Sequence, residues 1–391
     1  MKFDFETVPS GQGHHRLKWD SMQARTGISD PNAISMWVAD MDFAPAPCVV
    51  ETLQSELDSG FLGYFAAPQS VYGAICNWMA DRHEYTFDPQ AIRFTHGVVA
   101  GFATTLAAFS EPGDSVILFT PVYHAFFTKI EQMQRRVHQA ELVLNDGMYS
   151  MDLDALEASL TGDERVLVFC NPHNPGGRIW TSEEVRQVAA FCEKHDLILI
   201  SDEIHMDLTF PGVSHVVTSV EASDFAHRIV TLSSASKGFN LAGGETGFVI
   251  IEDDDLRRRF DVAHQDRGGT PNRFGALMLK SAFTSGADWS AAVRETIAGN
   301  FQLWHSRIGA LPGVDVMDMN ATYLAWVDFR GTGMNQEQTV QRIQEDAKIA
   351  VSHGTTFGNG GLGWHRFNIA TSRARVTEAI ERLECAFSDL Q

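Results

Sequence analysis

The chain has 391 residues, and its 30 Lys and Arg against 50 Asp and Glu leave a formal net charge of −20. With 44% hydrophobic and 20% charged residues it has a globular balance, and its negative field argues against nucleic acid or an anionic membrane surface as partner. The length suggests two domains, or one large α/β domain with an appendage, with enough buried surface to need no disulfide or metal staples.

The first 45 residues, beginning MKFDFETVPSGQGHH, carry no apolar leader and few periodic signals, and are expected to pack on the small domain or the active site. Thereafter short β-rich apolar runs alternate with longer amphipathic stretches, the pattern of βαβ units around a mostly parallel sheet. Strands are predicted at Ser115–Phe119, Arg165–Cys170, Leu197–Ser201, Arg228–Leu232 and Gly247–Ile251. Helices are predicted at Val98–Phe109, Val122–Arg136, Ser182–His195 and Asn272–Ser285, the third opened by the hydroxyl and acids of TSEE. After about Gly286 the pattern changes. A helix from Trp289 to Ile308, a strand at Tyr323–Phe329, a helix near Gln336–Ala347, a strand at Arg366–Ala370 and a closing helix from Val376 suggest a smaller α+β domain. The expected division is a segment 1–45, a large domain 46–285 and a small domain 286–391.

Five scattered cysteines (Cys48, Cys76, Cys170, Cys192, Cys385) contain no Cys-x-x-Cys pair, so they read as reduced thiols rather than a disulfide framework or a zinc site. No uncharged apolar run reaches about 18 residues, so no membrane span is expected. The cytoplasm is the expected compartment, and no metal is expected.

The chemistry lies at three consecutive strand ends. Cys170 leads into NPHNPGGR, Ser201 into Asp202-Glu203-Ile204-His205, and Leu232 into SSASKGF. In open parallel sheets ligands bind outside the carboxyl ends of the strands, so an amide, a carboxylate and an amine converge on one crevice. Each alone has a plainer explanation: a turn, a helix cap, a solvated loop charge. Their order, with 28 residues from Asn174 to Asp202 and 35 from Asp202 to Lys237, is far more specific.

NPHNPGG, SDEIH, SSASKGFN and HRFNIATSR together resemble the fold type I pyridoxal-phosphate (PLP) enzymes of the class I/II aminotransferase superfamily, over nearly the whole chain. KWD (Lys18 to Asp20), WVADMDF (Trp37 to Phe43), LGYF (Leu62 to Phe65) and TPVYHAFF (Thr120 to Phe127) resemble the narrower MalY/PatB-like cystathionine β-lyase, or C–S lyase, branch. The resemblance implies an α/β fold of the PLP-dependent transferase type, with a seven-stranded, mostly parallel sheet and a smaller α+β domain. It implies PLP as cofactor, bound as a Schiff base to Lys237, with Asp202 keeping the pyridine nitrogen protonated so that the ring serves as an electron sink. Asn174 matches the donor to the ring 3-oxygen. His205 stands where many relatives have Tyr, and either tunes that oxygen or packs beneath the ring.

For the phosphate, the resemblance implies the helix start at His96 with Gly97, Val98 and Val99, the hydroxyls of Ser234 and Ser236, and Tyr64 reaching across from a second subunit. Relatives of the aspartate aminotransferase kind carry an Arg about eight residues after the lysine; this chain has GGETG there, with Glu245 and Thr246. Tyr123 matches the aromatic stacked on the pyridine ring, although an aromatic after a strand is more often core. Arg366 matches the guanidinium that grips the substrate α-carboxylate, with a surface salt bridge as the plainer explanation; Arg373 is a weaker match. The implied reaction is α,β-elimination from an L-cysteine S-conjugate such as L-cystathionine, giving a thiol (homocysteine), pyruvate and ammonia. Lys237 serves as base, and Lys237, Tyr123 or Tyr64 as donor to the leaving sulfur. Transamination is the alternative, and a regulatory, protein-binding role for a lyase stays open beside it. The implied assembly is a homodimer with shared active sites.

Overall fold

The structure, a computed structural model, describes residues 3–9, 11–267 and 271–390. Its main sheet has seven strands: β1 Ile92–Thr95, β2 Ser115–Thr120, β3 Arg136–Glu141, β4 Glu164–Cys170, β5 Ile198–Asp202, β6 Ile229–Ser233 and β7 Gly247–Ile250. They lie in the order β1-β7-β6-β5-β4-β2-β3. Only β7 runs antiparallel, against both β1 and β6, and all other pairings are parallel.

The sheet is buried on both faces, which explains its near-continuous apolar strands. Alternate residues go to opposite cores. Val116, Val168 and Ile200 pack with Phe102 and Leu106 of helix Val98–Phe109, whereas Ile117, Leu167 and Leu199 pack with Val185 and Val188 of helix Ser182–Lys194. That second helix starts in a capping box: Thr181 Oγ1 accepts from the Glu184 N–H at 3.2 Å, and Glu184 accepts from the Thr181 N–H at 2.8 Å.

The predicted helix Val122–Arg136 is shorter in the structure, His124–Gln132, and Arg136 already belongs to β3. Gln134, at φ 64°, ends the helix. The strand RVHQAE that follows is an outer strand with half its residues exposed, so no apolar alternation announces it.

Beyond the 22-residue helix Ala287–Ile308, an antiparallel sheet is built from β8 Asp315–Val316, β9 Leu324–Asp328, β10 Ser352–His353 and β11 Trp364–Asn368, in the order β8-β9-β11-β10. The N-terminal segment joins this half, because Ile34–Ser35 pairs in parallel with Ile349–Ala350. From there residues 36–42 run between the two halves. Asn368 binds them from one side, donating from Nδ2 to Val38 O at 2.6 Å and Asp40 O at 2.5 Å. Asn240 binds them from the other, accepting from the Met41 N–H at 2.8 Å and donating to Met41 O at 2.9 Å.

Candidate active site

The parallel register of β4, β5 and β6 sets Cys170 beside Asp202 and Asp202 beside Leu232, so their following loops open into one crevice. A cavity of about 300 Å³ lies there, lined among others by Ala39, Gly97, Val98, Val99, Tyr123, Asn174, Asp202, His205, Ser236 and Lys237. Most of the residues singled out from the sequence thus share one cavity; Ser234, Arg366, Arg373 and Tyr64 lie outside its lining.

Asp202 is buried and accepts one hydrogen bond, from the Ile204 N–H at 3.1 Å. Burial pushes its carboxyl up to about 7, and neighbouring Glu203 adds to the rise. Glu203 faces elsewhere: it accepts from His215 Nε2 at 2.7 Å, from Ser201 Oγ at 2.9 Å and from the Thr218 N–H at 3.1 Å. Lys237 follows β6 on the short helix Ala235–Gly238, and its Nζ donates to Ala39 O at 2.6 Å. Burial lowers its amine to about 8, with Arg366 contributing and Asp40 and Asp202 opposing. A neutral amine at near-physiological pH is a usable nucleophile and base.

Arg366 on β11 is buried and donates to Asn174 Oδ1 at 2.9 Å, to Trp37 O at 3.2 Å and to Ser352 Oγ at 3.2 Å; its Nε is without a partner. The bond to Asn174 commits that amide's oxygen and leaves its NH₂ as the donor for the cavity. His205 is buried with Nδ1 unpartnered, and burial holds its imidazole well below the usual range, hence neutral. Burial raises the Tyr123 phenol, so that side chain meets the cavity protonated.

The helix Val98–Phe109 points its N-terminus into the cavity, with Gly97 as cap at φ 79°. A Cβ on Gly247, the first residue of β7, would lie 2.8 Å from the Gly97 carbonyl carbon and 2.9 Å from the Val98 nitrogen. That close approach requires glycine and fixes the loop against the sheet. Ser234 does not line the cavity; its hydroxyl donates to Thr246 O at 2.7 Å and accepts from the Ser236 N–H at 3.0 Å, shaping the loop that carries Lys237. Glu245 and Thr246 line the cavity at the position where an Arg was expected to be missing. Tyr64 stands 107% exposed and outside the cavity of its own chain. Arg373 donates to Gly299 O at 2.7 Å, a structural bond away from the cavity.

Three participants were given no role from the sequence, although Lys18 and Ala39 lie within its motifs. Ala39 supplies the carbonyl that receives Lys237. Tyr323 donates to that same oxygen at 2.9 Å. Lys18, fully buried, lies 3.2 Å from Asp42 and 3.5 Å from Asp40, so the KWD and WVADMDF motifs are one ion-paired unit. Their joint appearance as motifs was the available signal.

The residues fit PLP. An amine lies with a buried carboxylate that has no direct cationic partner, an amide donor, an aromatic wall and a helix N-terminus suited to a phosphate.

Comparison with known proteins agrees. The profile described as aminotransferase class I and II matches residues 31–383. Cystathionine beta-lyase PatB of Bacillus subtilis (strain 168) is 35% identical over 98% of this chain and 100% of its own length. Protein MalY of Escherichia coli (strain K12) is 31% identical over 97% of this chain and 98% of its own. The crystal structure of cystalysin from Treponema denticola, which contains a pyridoxal 5′-phosphate cofactor, superposes with a TM-score of 0.95 at 32% identity, covering 100% of both chains.

Proposed function

For this chain, which belongs to the aminotransferase class I and II family and has the fold type I architecture, we propose a PLP-dependent C–S lyase acting on L-cystathionine or a related L-cysteine S-conjugate. The observation that carries the reading is the 2.6 Å bond from Lys237 Nζ to Ala39 O, which ties the lyase-like motif WVADMDF directly to the reactive amine. The full-length likeness to a cystathionine beta-lyase supports it.

PLP, when bound, supplies an electron sink through its protonated pyridine ring. The chain supplies the rest. Asp202 holds a proton on the pyridine nitrogen, and Asn174 donates to the ring 3-oxygen. The amides of Gly97, Val98 and Val99, with Ser236, hold the phosphate. Arg366 turns its free Nε and forked guanidinium to the substrate carboxylate, orienting the Cα–H bond toward Lys237. Lys237, neutral above about pH 8, takes the Cα proton as general base. The same amine, or the phenol of Tyr123, then donates a proton to the departing sulfur. A thiolate leaves readily, because a thiol with a reference pKa of about 8.5 is a good acid. Elimination thus competes well with the proton return that transamination needs.

The active assembly in this reading is a homodimer, in which Tyr64 of one subunit completes the phosphate site of the other; its full exposure supports this. No helix among the described residues is long and apolar enough to cross a membrane, and the reading places the enzyme in the cytoplasm.

The test is incubation of the PLP-loaded protein with L-cystathionine, following thiol and pyruvate, with amino transfer to pyruvate and 2-oxoglutarate measured alongside. Stoichiometric thiol and pyruvate with much slower transfer is expected. Efficient transfer with no thiol from any S-conjugate would overturn the lyase reading and leave the family assignment intact.

A further inference from the structure

One backbone oxygen at the edge of this site receives two side-chain donors from different parts of the chain. Lys237 Nζ lies 2.6 Å and Tyr323 OH 2.9 Å from Ala39 O. Tyr323 is completely buried and stands immediately before β9, where the small sheet meets the large domain. Its neighbour Thr322 donates from N to Leu208 O at 3.0 Å, and its own carbonyl accepts from the Ile369 N–H at 2.9 Å. Its ring meets that of His205 nearly edge-on, with centroids 6.3 Å apart. We propose that Tyr323 is a positioning residue for Lys237, acting through the Ala39 carbonyl that both side chains share. The proposal rests on the reading of Lys237 as the PLP-binding lysine.

A carbonyl oxygen has two lone pairs, and here each has a donor. When the Lys237 amine leaves Ala39 to bond elsewhere, the hydroxyl of Tyr323 keeps the carbonyl partnered, so departure leaves no orphaned acceptor. While the amine is in place, the second donor draws electron density from the oxygen. An ammonium therefore gains less from it, and the neutral amine is favoured. The carbonyl itself stays fixed, because Asn368 holds Val38 O and Asp40 O on either side, at 2.6 Å and 2.5 Å. Removing the hydroxyl thus changes what Ala39 O offers Lys237 while the backbone path remains.

The other groups facing the amine are known. Asp40 and Asp202 attract an ammonium and Arg366 opposes it. His205 is held neutral by burial, and the phenols of Tyr123 and Tyr323 are raised by burial and stay protonated. Burial also pushes the carboxyl of Asp202 up to about 7.

The experiment compares the full-length wild type, Tyr323→Phe, and a protein with 3-fluorotyrosine in place of Tyr323, whose more acidic phenol is a stronger donor. The first readout is the pH dependence of Lys237 modification by an amine-reactive reagent in the PLP-free chain, read by peptide mass spectrometry. The second is the pH profile of thiol release from L-cystathionine by the PLP-loaded enzyme. For Tyr323→Phe the midpoint of Lys237 reactivity should rise by up to about one pH unit, which is about a tenfold loss of reactive amine at neutral pH. The acid limb of kcat should move the same way, with KM little changed, and the fluorinated protein should shift oppositely. Should Tyr323→Phe fail to fold, the fluorinated protein, which keeps the native shape, still decides the matter. Identical midpoints, even with slower turnover, would make Tyr323 a packing residue and overturn the proposal. Shifted midpoints with no thiol release from any S-conjugate would sink the lyase reading and leave this inference standing.

Discussion

Arg366 Nη1 donates to Oδ1 of Asn174 at 2.9 Å, although the two residues are 192 positions apart. The bond ties β11 of the small antiparallel sheet to the loop that follows β4 of the main sheet. In the proposed reading, the guanidinium for the substrate carboxylate and the amide for the cofactor ring therefore share a hydrogen bond.

For Arg366→Lys, the point charge remains but the fork that reaches Asn174 and a carboxylate together is gone. Charge-assisted hydrogen bonds contribute about 1.5–3 kcal/mol, so kcat/KM should fall about 10- to 100-fold, mostly through KM. Steady-state kinetics with an S-conjugate check this. An unchanged KM would place the carboxylate elsewhere.

Asp202→Asn should keep the fold and some PLP but lose turnover by a factor on the order of 10²–10³, since a neutral amide cannot hold the pyridine nitrogen protonated. Glu203 offers no replacement, because His215, Ser201 and Thr218 already claim it. There is also a pH signature in the cofactor-free chain. Burial raises the carboxyl to about 7 from an unfolded value near 3.8. Its contribution to stability is therefore fully present below about pH 4 and is lost as pH rises through 7. Denaturation of the PLP-free wild type from pH 4 to 8 should show this fall, and Asp202→Asn should flatten it.

The strand-end residues were legible because a parallel sheet makes them converge: Asp202 ends β5, and Asn174 and Lys237 follow β4 and β6, whose apolar runs stand out. Strand β3 was not, because an outer strand reading RVHQAE has no buried face to pattern it. Tyr323 was hidden for the opposite reason. As the first residue of the predicted strand Tyr323–Phe329 it reads as core, and the hydrogen bond of its hydroxyl, to Ala39, spans 284 residues. WVADMDF was visible as a motif, yet nothing in its letters says that a backbone carbonyl, rather than Asp40 or Asp42, meets the lysine.

The ion pair between Lys18 and Asp42 gives a stability test of that motif. Both side chains are buried, 3.2 Å apart, and Arg16 adds a second contact to Asp42 at 3.1 Å. Burial alone would raise the Asp42 carboxyl, but Lys18 and Arg16 outweigh it and hold it below its ordinary value. Removing one member of a buried pair typically costs about 3–5 kcal/mol, and Lys18→Met should lie near the low end because Arg16 remains. Asp42 stabilises above its unfolded pKa and loses that contribution as pH falls through its folded value, so Lys18→Met, which weakens the depression, should flatten this acid-side loss and narrow its gap from the wild type at low pH. Chemical denaturation checks both points. If the double variant Lys18→Met/Asp42→Leu recovers most of the loss, the cost came from the stranded carboxylate.

The last prediction concerns Tyr64, which projects from its own chain with Leu62 61% and Phe61 68% exposed beside it. Arg273 braces the loop from within the chain: it lies over the Phe65 ring at 5.1 Å, pairs with Glu56, and donates to Gly63 O and Tyr64 O at 3.3 Å. A braced loop that presents bare aromatic surface suits insertion into a second subunit. If Tyr64 serves the neighbour's site, Lys237→Ala and Tyr64→Ala damage different halves of a shared centre. Lys237→Ala homodimers should be inactive and yield no borohydride-reducible PLP–lysine adduct; Tyr64→Ala homodimers should bind PLP weakly. Unfolding and refolding the two together should form heterodimers in which one site carries both lesions and the other carries neither. With random assortment half the dimers are mixed and each has one sound site, so activity should return to about a quarter of the wild type. No recovery beyond the sum of the separate variants would mean that Tyr64 acts within its own chain or not at all.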